Sequence, residues 1–186
     1  MKTSVKNLVL SAMFLALGLV LPFLTGQIPE IGSMLLPMHI PVFLCGLICG
    51  WKYGAAVGVI VPLLRSMIFS RPVMFPNAVS MALELMTYGL VAGLLYGLSR
   101  HQCIIALYRS MIIAMLSGRA VWGAAQVIFL TASKKTFTWG AFAAGAFLEA
   151  IPGIIVQLVL IPTIMLALHK TGLVPFKRHE RAHEKS

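Results

Sequence analysis

Three stretches of this chain hold an ionisable residue among side chains too apolar for water. Glu84 stands in PNAVSMALELMTYGLVAGLLYGL (residues 76–98), Arg119 in IIALYRSMIIAMLSGRAVWGAAQVIFL (residues 104–130), and Glu149 in WGAFAAGAFLEAIPGIIVQLVL (residues 139–160). Their polar neighbours recur at steps of three and four, so each set shares one face of a helix. The sets are Asn77, Ser80, Glu84 and Tyr88; Arg119, Trp122 and Gln126; and Gly145, Glu149, Gly153 and Gln157. Arg65 and Arg71 stand just ahead of the first stretch. Carboxylate, guanidinium, amide and phenol groups converging from separate helices suit an apolar pocket with a few placed polar contacts for a small ligand. The same groups could instead pair with one another, Arg119 with Glu84 or Glu149, and merely hold helices together. Catalysis fits poorly, because no Ser–His pair, paired Asp or zinc-ligand set falls at comparable depth. The segment HERAH (residues 179–183) matches H-E-x-x-H, but it lies in a basic tail with no core to hold a metal. Neither a cofactor nor a metal is expected.

The elements that position these groups follow from composition. Hydrophobic residues make up 59% of the chain and charged residues 11%, against roughly 25% charged in an ordinary soluble domain. Such a chain cannot cover its own surface in water, so its solvent is lipid. At about 20 residues per crossing, 186 residues allow a handful of spans. Six are expected: residues 8–24, 41–50, 53–69, 77–98, 103–131 and 139–168. The expected fold is therefore an all-α integral membrane bundle of six helices in residues 1–173, followed by a short charged tail, 174–186. The second span is short unless LLPMHI precedes it, with Pro37 and Pro41 bending its start. The N-terminal apolar run exceeds a signal-peptide core and lacks an A-x-A site, so it reads as the first span.

The net charge of +10 does not point to nucleic acid, because the basic residues sit at the termini and in breaks between apolar runs. Lys2, Lys6, Lys52, Arg100, Lys170, Lys177, Arg178, Arg181 and Lys185 gather on one side, and Arg71, Lys134 and Lys135 on the other, with Arg65 nearby. This asymmetry predicts that both termini are cytoplasmic. Cys45, Cys49 and Cys103 read as packing residues. Gly89, Gly93 and Gly97 form a strip for close helix approach. TGQIPEIGSMLLPM (residues 25–38) could fold over the bundle as a lid or lie on lipid.

The segment LPMHIPVFLCGLICGWKYGAAVGVIVPLLRSMIF, the overall length and the pair Ala12-x-x-x-Ala16 together resemble the substrate-binding S components of energy-coupling factor (ECF) vitamin transporters. The resemblance spans nearly the whole chain. It implies a subunit of the bacterial cytoplasmic membrane that binds a vitamin with high affinity from outside and topples in the lipid to release it. Its implied partners are one membrane coupling subunit, met by Ala12 and Ala16, and two ATPase subunits. It implies no enzymatic activity, and the chain carries no P-loop. The runs MHIPVFLCGLICG, PLLRSMIF and RPVMFPNAVSMALELMTYG look most like the pantothenate type. On that reading Arg65, Arg71 or Arg119 holds the carboxylate, and Asn77, Glu84, Tyr88 and Gln126 meet hydroxyls and amides. Niacin, pyridoxine and thiamine types stay open; thiamine would use Glu84, Glu149, Trp122 and Tyr88 as an acidic and aromatic cage. An autonomous secondary transporter is the rival class.

Overall fold

The computed structural model describes residues 2–24, 37–70, 72–99, 101–132 and 151–171. All of its regular structure is helical: α1 (Lys2–Leu24), α2 (His39–Cys49), α3 (Trp51–Phe69), α4 (Val79–Leu98), α5 (Ile104–Ala132) and α6 (Ile151–Lys170). A kinked turn, Met74–Ala78, in which Phe75 is extended (φ −126°, ψ 131°), leads into α4. Five of these helices are long and apolar enough to cross a bilayer. The exception is α2, whose 11 residues reach only about 17 Å at 1.5 Å per residue. That is roughly half of a hydrocarbon core about 30 Å thick. Pro37 and Met38 form a turn, so the helix starts at His39 and does not extend back through Pro37 as the sequence suggested. Pro41 then falls in the first turn, where its missing N–H leaves no bond unmade.

A short helix survives here because it is enclosed. Every residue of α2 except Ile48 is buried, between α1, α3, α4 and α6. The chain reverses from α2 into α3 at Gly50, whose φ of 98° belongs to the region that only glycine occupies freely. Asn7 of α1 donates to the carbonyl of Cys49 across 3.3 Å. The start of α1 and the end of α2 therefore lie at the same end of the bundle, together with the start of α3.

The central element is α4, packed against α2, α3 and α5. Its fit to α2 and α3 depends on glycines. A Cβ on Gly46 would lie 2.6 Å from the Gly89 carbonyl oxygen, and one on Gly58 would meet the Leu85 carbonyl. A Cβ on Gly89 would overlap the backbone of Gly54. Backbone thus touches backbone along three helices, the arrangement that lipid-embedded helices use when no hydrophobic effect drives them together. The strip foreseen at Gly89, Gly93 and Gly97 ends at Gly93, because a side chain on Gly97 would meet open space.

Two apolar clusters flank this seam. One joins Phe43, Tyr88, Leu107, Met111, Ile161 and Met165 from α2, α4, α5 and α6. The other joins Val42, Cys45, Val57, Val61 and Leu85. Cys45 and Cys49 belong to the second cluster, as packing cysteines should.

Candidate functional site

Three side chains from three helices meet at the Glu84 carboxylate. Glu84 is 2% exposed. Its Oε1 accepts a hydrogen bond from the Tyr88 hydroxyl at 2.7 Å, lies 3.3 Å from Arg119 Nε and 3.9 Å from His39 Nε2. Each member has a local cause. Glu84 and Tyr88 are four residues apart on α4, one turn along the same face. Arg119 follows Gly118, where any Cβ would run into the Tyr88 ring; the missing side chain lets that ring press onto α5 beside the guanidinium. His39 is the first residue of α2, so its imidazole reaches the carboxylate from that helix's first turn.

Aromatic rings wall the group. Phe43 stacks on Tyr88 with centroids 5.0 Å apart, and the His39 ring tilts against the same phenol at 5.3 Å. The Arg119 guanidinium lies 6.0 Å from the Trp122 ring, within cation–π reach. Hydrogen-bonding capacity remains unused. Both ring nitrogens of His39, Nε and Nη2 of Arg119 and Nε2 of Gln157 are buried without a hydrogen-bond partner. Buried polar atoms are normally satisfied, so the unsatisfied atoms of His39 and Arg119 at this carboxylate mark a place that can receive a hydrogen-bonding molecule.

The residues expected from sequence are distributed unevenly. Glu84, Tyr88, Arg119 and Trp122 come together. Ser80 is buried one turn before Glu84, but its hydroxyl returns to the Pro76 carbonyl at 2.9 Å. Gln126 Nε2 donates to Asn77 Oδ1 at 3.4 Å, a weak link between α5 and the kinked turn before α4. Arg65 is directed elsewhere: its Nη1 donates to the Leu19 carbonyl of α1 at 3.2 Å, and its guanidinium lies 5.5 Å from the Phe23 ring and 5.7 Å from the Phe69 ring. Arg71, Glu149, the segment 25–36 and the tail lie outside the described residues. One residue was missed: His39 carries no periodic polar partner, and its signal was a lone imidazole between Pro37 and Pro41. Gln157, on a polar face read from the sequence, is buried on α6.

The position of Arg65 leads to a separable prediction. Arg65→Gln removes a charged hydrogen bond and a cation–π contact between α1 and α3, together with a second cation–π contact within α3, and is expected to lower stability by about 1–3 kcal/mol. Thermal unfolding in detergent should show that loss while ligand affinity stays unchanged. A selective loss of affinity would place Arg65 at the ligand.

A multi-pass helical membrane protein with a charged, aromatic-walled cluster buried between its helices is built as a membrane-embedded binding or transport protein. The chain belongs to the family of ECF transporter substrate-specific components, whose model matches residues 6–165. A member of this family takes a small-molecule substrate and works with the ECF module. Among curated proteins and solved structures, none matches the chain.

Proposed function

We propose that this chain is the vitamin-binding S component of an ECF importer for pantothenate, with the ligand held at the Glu84–Arg119–His39 cluster. The observation that carries the reading is the set of unpaired polar atoms of His39 and Arg119 beside the Glu84 carboxylate. Glu84 and Arg119 already neutralise each other, so a cation such as thiamine would have to compete with Arg119 for the carboxylate. The spare groups at the cluster are the guanidinium's Nη2 and the His39 ring, which favour a ligand that offers acceptors. Pantothenate offers a carboxylate, two hydroxyls and one amide. A guanidinium can hold such a carboxylate in a two-pronged grip. Trp122 and Tyr88 would flank its aliphatic part. Nicotinate has the same charge and is the nearest competitor.

The proposed cycle needs the module. The coupling subunit would dock on the α1 face that carries Ala12 and Ala16, both exposed in the isolated chain, and ATP hydrolysis by the two ATPases would drive reorientation and inward release. With the chain in lipid vesicles, pantothenate should bind but accumulate only when the module and ATP are present. Uphill accumulation by the chain alone on an ion gradient would instead establish a secondary transporter. Ala12→Leu combined with Ala16→Leu adds bulk where helices must approach closely. It is expected to abolish co-purification with the coupling subunit and leave vitamin affinity intact; undiminished assembly would move the interface to another face.

A further inference from the structure

An anionic ligand raises a problem that the Glu84–Arg119 pair does not solve. The two charges cancel at 3.3 Å, so an entering carboxylate would leave one negative charge uncompensated. Burying an unpaired charge in such surroundings is prohibitively unfavourable. Something must change its protonation, or the ligand must stay out.

His39 is placed to do so. It is completely buried, its Nε2 is 3.9 Å from the carboxylate that Arg119 neutralises, and neither ring nitrogen has a hydrogen-bond partner. The charged and titratable groups around it are few. Glu84 and Tyr88 face it from α4, and Arg119 reaches the same carboxylate from α5. On α3, Arg65 is hydrogen-bonded to α1, while Lys52 and Tyr53 stand at the opposite end of the bundle. On α1, Lys6 is also at that opposite end. The buried residues of α6 include none that titrates. The local sum without His39 is therefore one negative and one positive charge.

We infer that His39 takes up one proton from solvent when an anionic ligand binds, restoring neutrality and making the site selective for monoanions. This rests on reading the cluster as the ligand site. Imidazole is the side chain whose charge changes most readily near neutral pH. Once protonated it donates from both nitrogens: Nε2 toward Glu84, leaving Nδ1 for a ligand oxygen. The ligand carboxylate stays ionised throughout. His39 is thus a positioning and selectivity residue, supplied by α2, the one helix among the described residues that is too short to span the bilayer.

The test is calorimetric titration of the detergent-purified full chain with pantothenate and with panthenol, its uncharged alcohol analogue. Titrations are run in phosphate and in Tris, whose ionisation heats differ, from mildly acidic to mildly alkaline pH. Pantothenate should show buffer-dependent heat equal to uptake of one proton on the alkaline side. Its affinity should fall there by about tenfold per pH unit, as proton and ligand binding are reciprocally linked. Panthenol should show neither effect. His39→Gln should bind pantothenate only weakly at every pH and without buffer-dependent heat. Should that variant not fold, His39→Asn and the wild-type comparison of the two compounds carry the same decision. Pantothenate binding without buffer-dependent heat overturns the inference and leaves the vitamin assignment standing. Proton uptake that survives in His39→Gln also overturns it, by assigning the proton to Glu84. If the wild type binds neither compound, the pantothenate reading falls and the inference with it.

Discussion

Replacing Arg119 with alanine is expected to abolish tight ligand binding and to destabilise the empty protein as well. The guanidinium is the only positive charge within reach of Glu84 among the described residues that needs no proton uptake. Its side chain is 11% exposed against 3% for Glu84. Removing one partner of a buried pair leaves the other uncompensated, which typically costs about 3–5 kcal/mol of stability. Loss of a charged ligand contact in a desolvated site costs about 2–5 kcal/mol, or roughly thirty- to four-thousand-fold in affinity. The two losses can be separated. Arg119→Met combined with Glu84→Gln removes both charges and should recover much of the thermal stability, since an apolar replacement of an ion pair is often neutral. It should not recover vitamin binding. If the double variant binds as wild type does, the pair serves only the fold and the site lies elsewhere.

Gly89→Val is expected to disrupt the bundle itself. A Cβ at this position would overlap the carbonyl group of Gly54, which is backbone and cannot rotate away. Overpacking usually costs about 1–3 kcal/mol and more where nothing can yield. Here α3 and α4 must separate, and Glu84 and Tyr88 move with α4 away from Arg119. The expected result is a poorly folded protein with no vitamin binding. Gly97→Val supplies the control: the same helix and the same substitution, but with open space around the new side chain. It should retain the wild-type unfolding temperature. Equal tolerance of both substitutions would mean that the close approach at Gly89 is not what holds the helices.

How far the sequence disclosed this arrangement depended on whether the cause was local. Ser80, Glu84 and Tyr88 fall on one buried face because helical periodicity alone puts them there, and the pattern is visible without any neighbour. Pairing Arg119 with Glu84 could be posed as a possibility but not chosen over Glu149, since partners on different helices carry no spacing signal. Arg65 shows the same blindness: proximity in sequence to Asn77 suggested the ligand, whereas the hydrogen bond goes to Leu19, 46 positions away. The glycine seam was half legible. The strip on α4 was read, but Gly46, Gly54 and Gly58 are divided by the turn at Gly50, so their common role appears only when α2 and α3 fold back on each other. His39 was hidden because α2 looked like an apolar run needing more length, not like a short buried helix with an imidazole at its open end. That α2 is short is the consequence of enclosure, which no single-segment hydropathy measures.

The central claim is that the Glu84–Arg119–His39 cluster receives a small anionic vitamin. Its most direct test is calorimetric titration of the purified chain with pantothenate, nicotinate, pyridoxine and thiamine, beside Arg119→Ala. Saturable, one-to-one binding of pantothenate by the wild type, lost in a variant that still unfolds cooperatively, is the result expected. Failure of the entire panel to bind, or a preference for cationic thiamine that survives the loss of Arg119, would contradict it.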